Sequence, residues 1–189
     1  MTIFSSKDLC LIDELPEIVE MGIDSLKIEG RLKTENYLAS IVNTYRCALD
    51  TILDGKEYDK DKFRAEIDKV KTRALTKFNF NIKSNDKIDE IQDLKGRQYN
   101  DKYQFGAIVD EKLENGMYRV YIKNQLKLGD NLEIIIPGVL EPIKFKIEKL
   151  VSVDTGEDIE VINPGVKDQQ VIMNIPVDAE KFYVIRKEI

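Results

Sequence analysis

The chain has 189 residues, of which 42% are hydrophobic and 34% are charged, so it is long enough for one large core or two small ones. Its 29 basic and 35 acidic residues give a net charge of −6, which excludes a generally basic protein that coats nucleic acid but leaves room for a local basic patch. The chain contains no histidine, so it cannot itself supply histidine acid–base catalysis or a histidine-ligated zinc site.

The cysteine content and the hydropathy pattern predict a cytoplasmic protein that does not enter a membrane. Cys10 and Cys47 are too few for a disulfide framework and are consistent with a reducing compartment. Residues 1–4 lack a basic region followed by an apolar stretch, so no signal peptide is expected. The longest purely aliphatic run, residues 134–136, is far shorter than the roughly 20 residues that span a bilayer.

The first part of the chain alternates between strand and helix patterns. Residues 2–4 form a short strand candidate, and a turn rich in capping residues follows at residues 5–8. Pro16 and Gly22 mark the start and the end of a helix. Residues 24–29 then alternate as a second strand.

Two further helices complete this part. Thr34 can cap the first of them, and Asp54 and Gly55 end it. Its apolar positions recur at helix spacing over five turns; they are Leu38, Ile41, Val42, Tyr45, Leu49, Ile52 and Leu53. The other helix is predicted over residues 60–75. This order predicts a βαβα unit with a parallel sheet, and because two strands are too few for such a sheet, we expect residues 1–83 to be the closing piece of a larger α/β domain.

The second part has an all-β pattern. Residues 84–98 are polar and charged, as in a linker, and residues 99–189 carry strand signals about every 8–12 residues. Asn115 and Gly116 are a hairpin signal. The predicted strands cover residues 105–109, 117–122, 132–136, 145–151, 159–162, 170–175 and 182–185. We therefore predict a small antiparallel β-barrel or sandwich.

Charged residues follow both predicted strands of the first part. They are Lys7 and Asp8 after the first strand and Glu29, Arg31 and Lys33 after the second. Loops at the carboxyl ends of adjacent parallel strands meet at one rim, so these side chains would form a site suited to an anionic or polar substrate. Gly30 would let the backbone approach closely or turn with positive φ. The alternative is ordinary capping and salt bridging at the ends of α/β elements.

Two other features allow more than one interpretation. Cys10 could be a metal or cluster ligand, a nucleophile or a small buried residue, and packing is favoured because no second cysteine lies nearby. In the second part, aromatic residues such as Tyr103 alternate with cations such as Arg119, a pattern that can stack bases and hold phosphates. A barrel core with a solvated face explains the same pattern, because residues 99–189 contain 12 basic and 16 acidic residues.

Several motifs resemble the U-thirty-two peptidase family, also called collagenase-like. In the first part these are residues 6–10, residues 25–33 with a nearly continuous signature from Lys27 to Lys33, Tyr37 and the stretch from Tyr45 to Asp50. In the second part they are residues 105–109, 127–130, 154–156 and 182–186. The resemblance implies the end of a (β/α)-barrel catalytic domain followed by an antiparallel β-barrel similar to the second domain of elongation factor Tu.

The resemblance also implies functions. Members were named as peptidases, but several bacterial members are tied to RNA hydroxylation, including formation of 5-hydroxyuridine at the tRNA wobble position. Those members use prephenate metabolism and cysteines assigned to an iron–sulfur cluster, which we expect in the full-length protein and not in this chain. The implied partners are tRNA and the missing N-terminal barrel half, or a split partner chain that supplies it.

The site residues follow from the rim and the resemblance together. The catalytic candidates are Lys7, Asp8, Glu29 and Arg31; the candidates for RNA or substrate binding are Lys33, Arg46, Tyr103 and Arg119; the candidate metal ligand is Cys10. Two departures from the family pattern, Ser5 in place of Asn and the lack of a His and a Gly in residues 72–80, argue against independent catalysis. The alternative functions are a collagenase-like peptidase and a non-catalytic module that binds RNA or protein.

Overall fold

A computed structural model describes residues 7–70, 73–77, 80 and 102–189. The first part contains two short strands and three helices. Their bounds are β1 Asp8–Leu9, α1 Leu15–Glu20, α2 Glu35–Leu53, α3 Lys60–Asp68 and β2 Leu75–Thr76. β1 and β2 pair in parallel, with Asp8 opposite Leu75. Among the helices of the described residues, none combines the length and the apolar character needed to cross a membrane.

Local signals determine where two of the helices begin and end. Pro16 lies in the first turn of α1, and Gly22 follows the helix with φ of +72°. The Thr34 hydroxyl accepts a hydrogen bond from the backbone N–H of Tyr37 at the start of α2. The predicted caps of both helices are confirmed. Their apolar faces meet in a core that includes Ile12, Leu15, Ile41, Ala48, Phe63 and Ile67.

Two expectations for the first part are wrong, and a third concerns residues that the structure does not describe. Residues 24–29 are not a strand and are exposed, because no described strand lies beside them to accept their backbone hydrogen bonds. The predicted helix over residues 60–75 ends at Asp68, and Leu75 belongs to β2 instead. The strand predicted at residues 2–4 lies outside the described residues, and β1 begins at Asp8, where a turn was predicted.

The second part is a curled antiparallel sheet. Its strands are β3 Tyr103–Lys112, β4 Tyr118–Ile122, β5 Leu126–Lys127, β6 Asn131–Ile135, β7 Ile143–Lys146, β8 Leu150–Ser152, β9 Val161–Ile162, β10 Gln170–Met173 and β11 Val184–Glu188. Seven of them pair in the order β7-β6-β11-β3-β4-β10-β8, and β5 pairs with β9. The predicted hairpin is confirmed: β3 and β4 are antiparallel neighbours, and Gly116 between them has φ of +79°. The first and last strands, β3 and β11, are neighbours, with Tyr103 opposite Glu188.

The strand predicted over residues 145–151 is two strands. Asn174 separates them: its Oδ1 accepts hydrogen bonds from the backbone N–H groups of Glu148 and Lys149, and its Nδ2 donates to the Lys146 carbonyl. The chain therefore turns a corner, and β7 pairs with β6 while β8 pairs with β10. One side-chain amide thus satisfies the backbone groups that a continuous strand would have paired.

Helix α2 packs on the outer face of this sheet. The Asn43 amide donates to the Val139 carbonyl and accepts from the Gly138 N–H, both at 2.8 Å. Arg186 on β11 donates to the Ser40 hydroxyl at 3.4 Å. The result is a mixed α/β structure in which helices cover part of a curled half-barrel. Completion of a (β/α)-barrel and likeness to elongation factor Tu stay predictions, and the predicted linker, residues 84–98, lies outside the described residues.

Candidate functional site

The predicted rim brings together an aspartate, a lysine and a tyrosine. Lys33 Nζ donates to Asp8 Oδ2 at 2.7 Å, and both side chains are about one-fifth exposed. The same ammonium lies 4.7 Å from the centre of the Tyr37 ring, a cation–π contact. Asp8 is held by β1 and Lys33 by the turn before α2. The site is thus a half-buried ion pair seated on an aromatic ring, and its charges stay within reach of solvent.

The turn that carries Lys33 depends on a close approach at Gly30. The backbone N–H of Lys33 donates to the Gly30 carbonyl at 2.9 Å. A Cβ at position 30 would lie 2.2 Å from Leu38 Cδ2 of α2, so a larger residue would require the Leu38 side chain to move. Gly30 therefore serves through close packing rather than through positive φ.

The Tyr37 hydroxyl stays neutral under ordinary conditions. Burial, and then the negative charge of Asp8, raises the pKa of Tyr37 to about 12. At neutral pH the ring can donate a hydrogen bond or stack, but it cannot act as a base. The rim consequently offers one paired cation, one paired carboxylate and one neutral phenol to a polar substrate.

Cys10 lies beside this cluster and is buried. Its Sγ is 3.7 Å from the Tyr45 hydroxyl, which also accepts a hydrogen bond from the Leu11 N–H. The Tyr58 hydroxyl donates to the Ile12 carbonyl at 2.5 Å. Burial raises the pKa of both Tyr45 and Tyr58, so both phenols stay neutral. These two tyrosines were not predicted as site residues, although Tyr45 lies both on the predicted apolar helix face and in the stretch that resembles the family.

The described residues do not fit an iron–sulfur cluster or another resident metal. No group of three or more His, Cys, Asp or Glu side chains comes together in the described part of the chain. Cys10 faces a tyrosine, and Cys47 lies buried on α2 with its thiol 3.9 Å from the Asn43 Oδ1. Any cluster in a longer protein would need ligands from outside these residues, and no step is assigned to one here.

The other catalytic candidates differ in how exposed they are. Glu29 is exposed, and its carboxylate lies 3.9 Å from Lys27 Nζ. Arg31 is exposed in the turn before α2, and Lys7 is half-buried immediately before β1. Of the five predicted rim residues, Asp8 and Lys33 are in direct contact with each other.

The candidates for RNA contact are scattered. Arg46 on α2 makes a double hydrogen bond to Asp50, and Arg119 on β4 pairs with Glu111 at 2.5 Å. The Tyr103 ring on β3 lies 5.1 Å from Lys69 Nζ and 5.8 Å from the Arg186 guanidinium. Tyr103 lines a concave part of the surface. The roles of all these residues stay predictions.

A buried ionic cluster joins α3 to the sheet, and we call it the joint cluster. Its members are Glu66, Lys69, Glu133 and Arg186. Arg186 Nη2 lies 2.6 Å from Glu133 and 2.8 Å from Glu66, while Lys69 Nζ lies 2.7 Å from Glu66 and 3.2 Å from Glu133. Arg186 and Glu133 are 1% and 2% exposed. Sequence reasoning missed this cluster, because its partners lie up to 120 residues apart along the chain.

Two models of one family match the chain. The model described as "Peptidase family U32" matches residues 1–90, and the model described as "Peptidase family U32 C-terminal domain" matches residues 101–186. Together they include the rim, the joint cluster and all of the curled sheet except its last two residues.

The curated relatives carry two kinds of name. The chain is 31% identical over 184 residues to the tRNA hydroxylation protein P of Haemophilus influenzae, covering 96% of this chain and 38% of that protein. It is 29% identical over 190 residues to an uncharacterized protease of Methanocaldococcus jannaschii, covering 99% of this chain and 46% of that protein. The chain therefore spans less than half the length of these relatives.

One solved structure is also similar to this chain. It is the C-terminal domain of a U32 peptidase from Geobacillus thermoleovorans, at 24% identity, with 45% of this chain and 92% of that chain covered and a TM-score of 0.39.

Proposed function

The chain belongs to peptidase family U32, and from this premise we propose that it is the C-terminal portion of a protein that hydroxylates tRNA at the wobble uridine. The observation that carries the proposal is the match of nearly the whole chain, helices and sheet together, to a protein named for tRNA hydroxylation. In this proposal the protein acts in the cytoplasm, where tRNA is modified.

The rim would position the substrate in the full-length form. The Asp8–Lys33 pair is accessible enough to exchange part of its ionic contact for a phosphate or a uracil carbonyl. Tyr37 would keep the ammonium in place through its ring. Glu29 and Arg31 are exposed and would reach the rim only if the turn that carries them moved toward it. Oxidation itself is assigned to parts of the protein outside this chain.

The partner of this chain would be the rest of the barrel. The segment from Met21 to Leu32, which we call the 21–32 segment, keeps five large apolar side chains exposed: Met21, Ile23, Leu26, Ile28 and Leu32. An alternating stretch with unpaired backbone is suited to become a strand when neighbouring strands arrive. An N-terminal barrel half, in the same polypeptide or in a split partner, would provide them.

Replacement of Lys33 in the full-length protein tests the proposal. Lys33→Ala removes the cation that holds Asp8, and we expect 5-hydroxyuridine-derived nucleosides in cellular tRNA to fall at least tenfold by mass spectrometry, while Lys33→Arg retains part of the activity. Lys56→Ala is the matched control, because Lys56 pairs only with Asp54 on the surface. Normal nucleoside levels in a well-folded Lys33→Ala strain would contradict the proposal.

A peptidase is the second candidate, since one relative is named as a protease and the family carries that name. It predicts that the purified full-length protein cleaves peptides and that Lys33→Ala reduces the rate. A module without catalysis predicts neither effect. Cleavage of a peptide library together with unchanged tRNA nucleosides in a deletion strain would favour the peptidase.

A further inference from the structure

A groove of about 320 Å³ crosses the outer face of the sheet where the helical layer stops. Its lining comes from β3, β6, β7 and β11: Tyr103, Asn131, Leu132, Glu133, Lys144, Phe145, Lys146 and Glu188. We call it the Tyr103 groove. Lys69, which follows α3 directly, pairs with Glu133 of this lining.

Strand pairing places the polar lining residues on one face. Asn131 lies opposite Lys146, Glu133 lies opposite Lys144, and side chains alternate along each strand. Leu132 is in the barrel core, with Phe145 packed against it, so their polar neighbours face outward into the groove. The outward face therefore presents an amide and two lysines in a row beside the tyrosine.

The charges of the groove favour an anion. Lys144 and Lys146 are exposed and form no ion pair with any residue in the described part of the chain. The Glu133 carboxylate is already bound by Arg186 and Lys69. Only Glu188 at the edge opposes the two lysines. A chain with a net charge of −6 thus keeps two cations without ion pairs among the described residues together in this groove.

The aromatic ring of Tyr103 adds a planar surface to these cations. It is half-buried, and the ammonium of Lys69 and the guanidinium of Arg186 lie within 6 Å of it. Groups held in place by the joint cluster restrict the ring, so little rotational freedom would be lost when a flat ligand stacks on it.

We propose that the Tyr103 groove binds a single-stranded segment of RNA, with one base stacked on Tyr103 and backbone phosphates on Lys144 and Lys146. An aromatic ring beside cations in a groove is the usual arrangement for single strands, and the Asn131 amide can bond to a base edge. This inference rests on the proposed tRNA substrate. It assigns RNA docking to a surface separate from the Asp8–Lys33 rim.

Binding of a fluorescein-labelled single-stranded RNA of about 12 nucleotides to the 189-residue chain tests the assignment, because the length lies within the roughly 4–16 nucleotides typical of one small β-barrel. Fluorescence anisotropy gives Kd over a range of salt concentrations. We expect Tyr103→Ala to raise Kd about tenfold and Tyr103→Phe to leave it nearly unchanged, because stacking needs the ring and not the hydroxyl.

The lysines are tested by the salt dependence. Lys144→Ala with Lys146→Ala should lower the slope of log Kd against log salt by about 1.4, since each phosphate contact of a single strand contributes about 0.7. Lys127→Ala with Lys167→Ala removes the same charge from two exposed positions of the second part outside the groove and should leave the slope unchanged. All four lysines are exposed, so both double variants keep the fold.

Three outcomes would overturn the assignment: no binding by the wild type at low salt, equal slopes for the two double variants, or equal displacement of the RNA by polyglutamate of the same charge. The last result would assign the groove to an acidic protein segment. Failure here is distinguishable from failure of the proposed function, because the Lys33→Ala nucleoside measurement does not depend on the groove.

Discussion

Phe182 has a backbone conformation that phenylalanine rarely takes. Its φ is +75°, and the turn is held by hydrogen bonds from the Phe182 N–H to the Val109 carbonyl and from the Tyr183 N–H to the Glu180 carbonyl. The ring is 70% exposed, so its burial does little to offset the strain. We predict that Phe182→Gly has a free energy of unfolding about 1 kcal/mol higher than Phe182→Ala, because both remove the ring and only glycine relieves the strain.

Urea unfolding of the two variants side by side measures this difference. A glycine variant less stable than the alanine variant would mean that the turn carries no strain. Nothing in the residues around Phe182 signalled positive φ, since such turns are normally recognised by Gly or Asn.

The joint cluster ties α3 to β6 and β11. Arg186→Met would leave two buried carboxylates, Glu66 and Glu133, with Lys69 as their one cation among the described residues. We expect it to lower the free energy of unfolding by about 3–5 kcal/mol. Arg186→Met combined with Glu133→Leu restores one cation for one carboxylate and should cost clearly less.

Chemical denaturation of the wild type, both single variants and the double variant completes a thermodynamic cycle for this pair. Equal costs for Arg186→Met alone and for the double variant would mean that the buried charge is tolerated. A weaker dependence of the free energy of unfolding on denaturant concentration in Arg186→Met would indicate that α3 has separated from the sheet.

Low pH should weaken the ion pairs that Asp13, just before α1, forms with Arg64 of α3 and with Lys77, just after β2. Burial acts to raise the pKa of Asp13, but the hydrogen bonds and charges of Lys77 and Arg64 outweigh it and hold the pKa below its ordinary value of 3.8. A carboxyl whose pKa is lowered by folding stabilises the folded state above its unfolded pKa, and this stabilisation is lost as the pH falls through the folded pKa. We expect Asp13→Asn to be less stable than the wild type near neutral pH and to lose less stability below about pH 4.

Thermal melting from about pH 6 to pH 2 measures that acid dependence. Asp59→Asn is a suitable control, since Asp59 caps α3 at the surface and has no part in the Lys77 contact. Parallel acid curves for the wild type and Asp13→Asn would contradict the prediction.

Whether an element could be predicted from the sequence depends on how close together the residues that determine it lie along the chain. α1 and α2 were predictable because Pro16, Gly22 and Thr34 act within one helical turn. The strand at residues 24–29 was not, because a strand also needs a neighbour, and the chain alone does not reveal whether one is present. The site divides in the same way. The predicted rim included Asp8 and Lys33, although residues 24–29 do not form the second strand from which it was argued, and the pairing of Glu133 with Arg186 was not predicted because their partner Glu66 lies on a distant helix.

In the part of the chain that the structure describes, the 21–32 segment has no partner strand. We predict that the backbone amides of residues 24–29 exchange with solvent without protection in the 189-residue chain and become protected in the full-length protein. Leu26→Lys with Ile28→Lys should leave the melting temperature of the 189-residue chain unchanged and abolish tRNA hydroxylation by the full-length protein. Both side chains are exposed here, so only a later partner would bury them.

Hydrogen exchange followed by mass spectrometry measures this protection, and Glu17→Lys with Glu20→Lys is a control on the exposed face of α1. Protection of residues 24–29 in the short chain would show that the segment already has a partner, and full activity of the lysine double variant would show that it needs none.

The pairing of β3 with β11 determines how the sheet would respond to a pulling force. Residue 102 and residue 189 are joined by a hydrogen bond from the Ile189 N–H to the Lys102 carbonyl, and the two strands run away from this point side by side. Tension applied at these two residues would break the hydrogen bonds between β3 and β11 one after another, beginning at this end. It would not load all of these bonds at the same time. The curled sheet should therefore yield at low force when threaded by a protease or a translocase from either end, however stable it is toward heat.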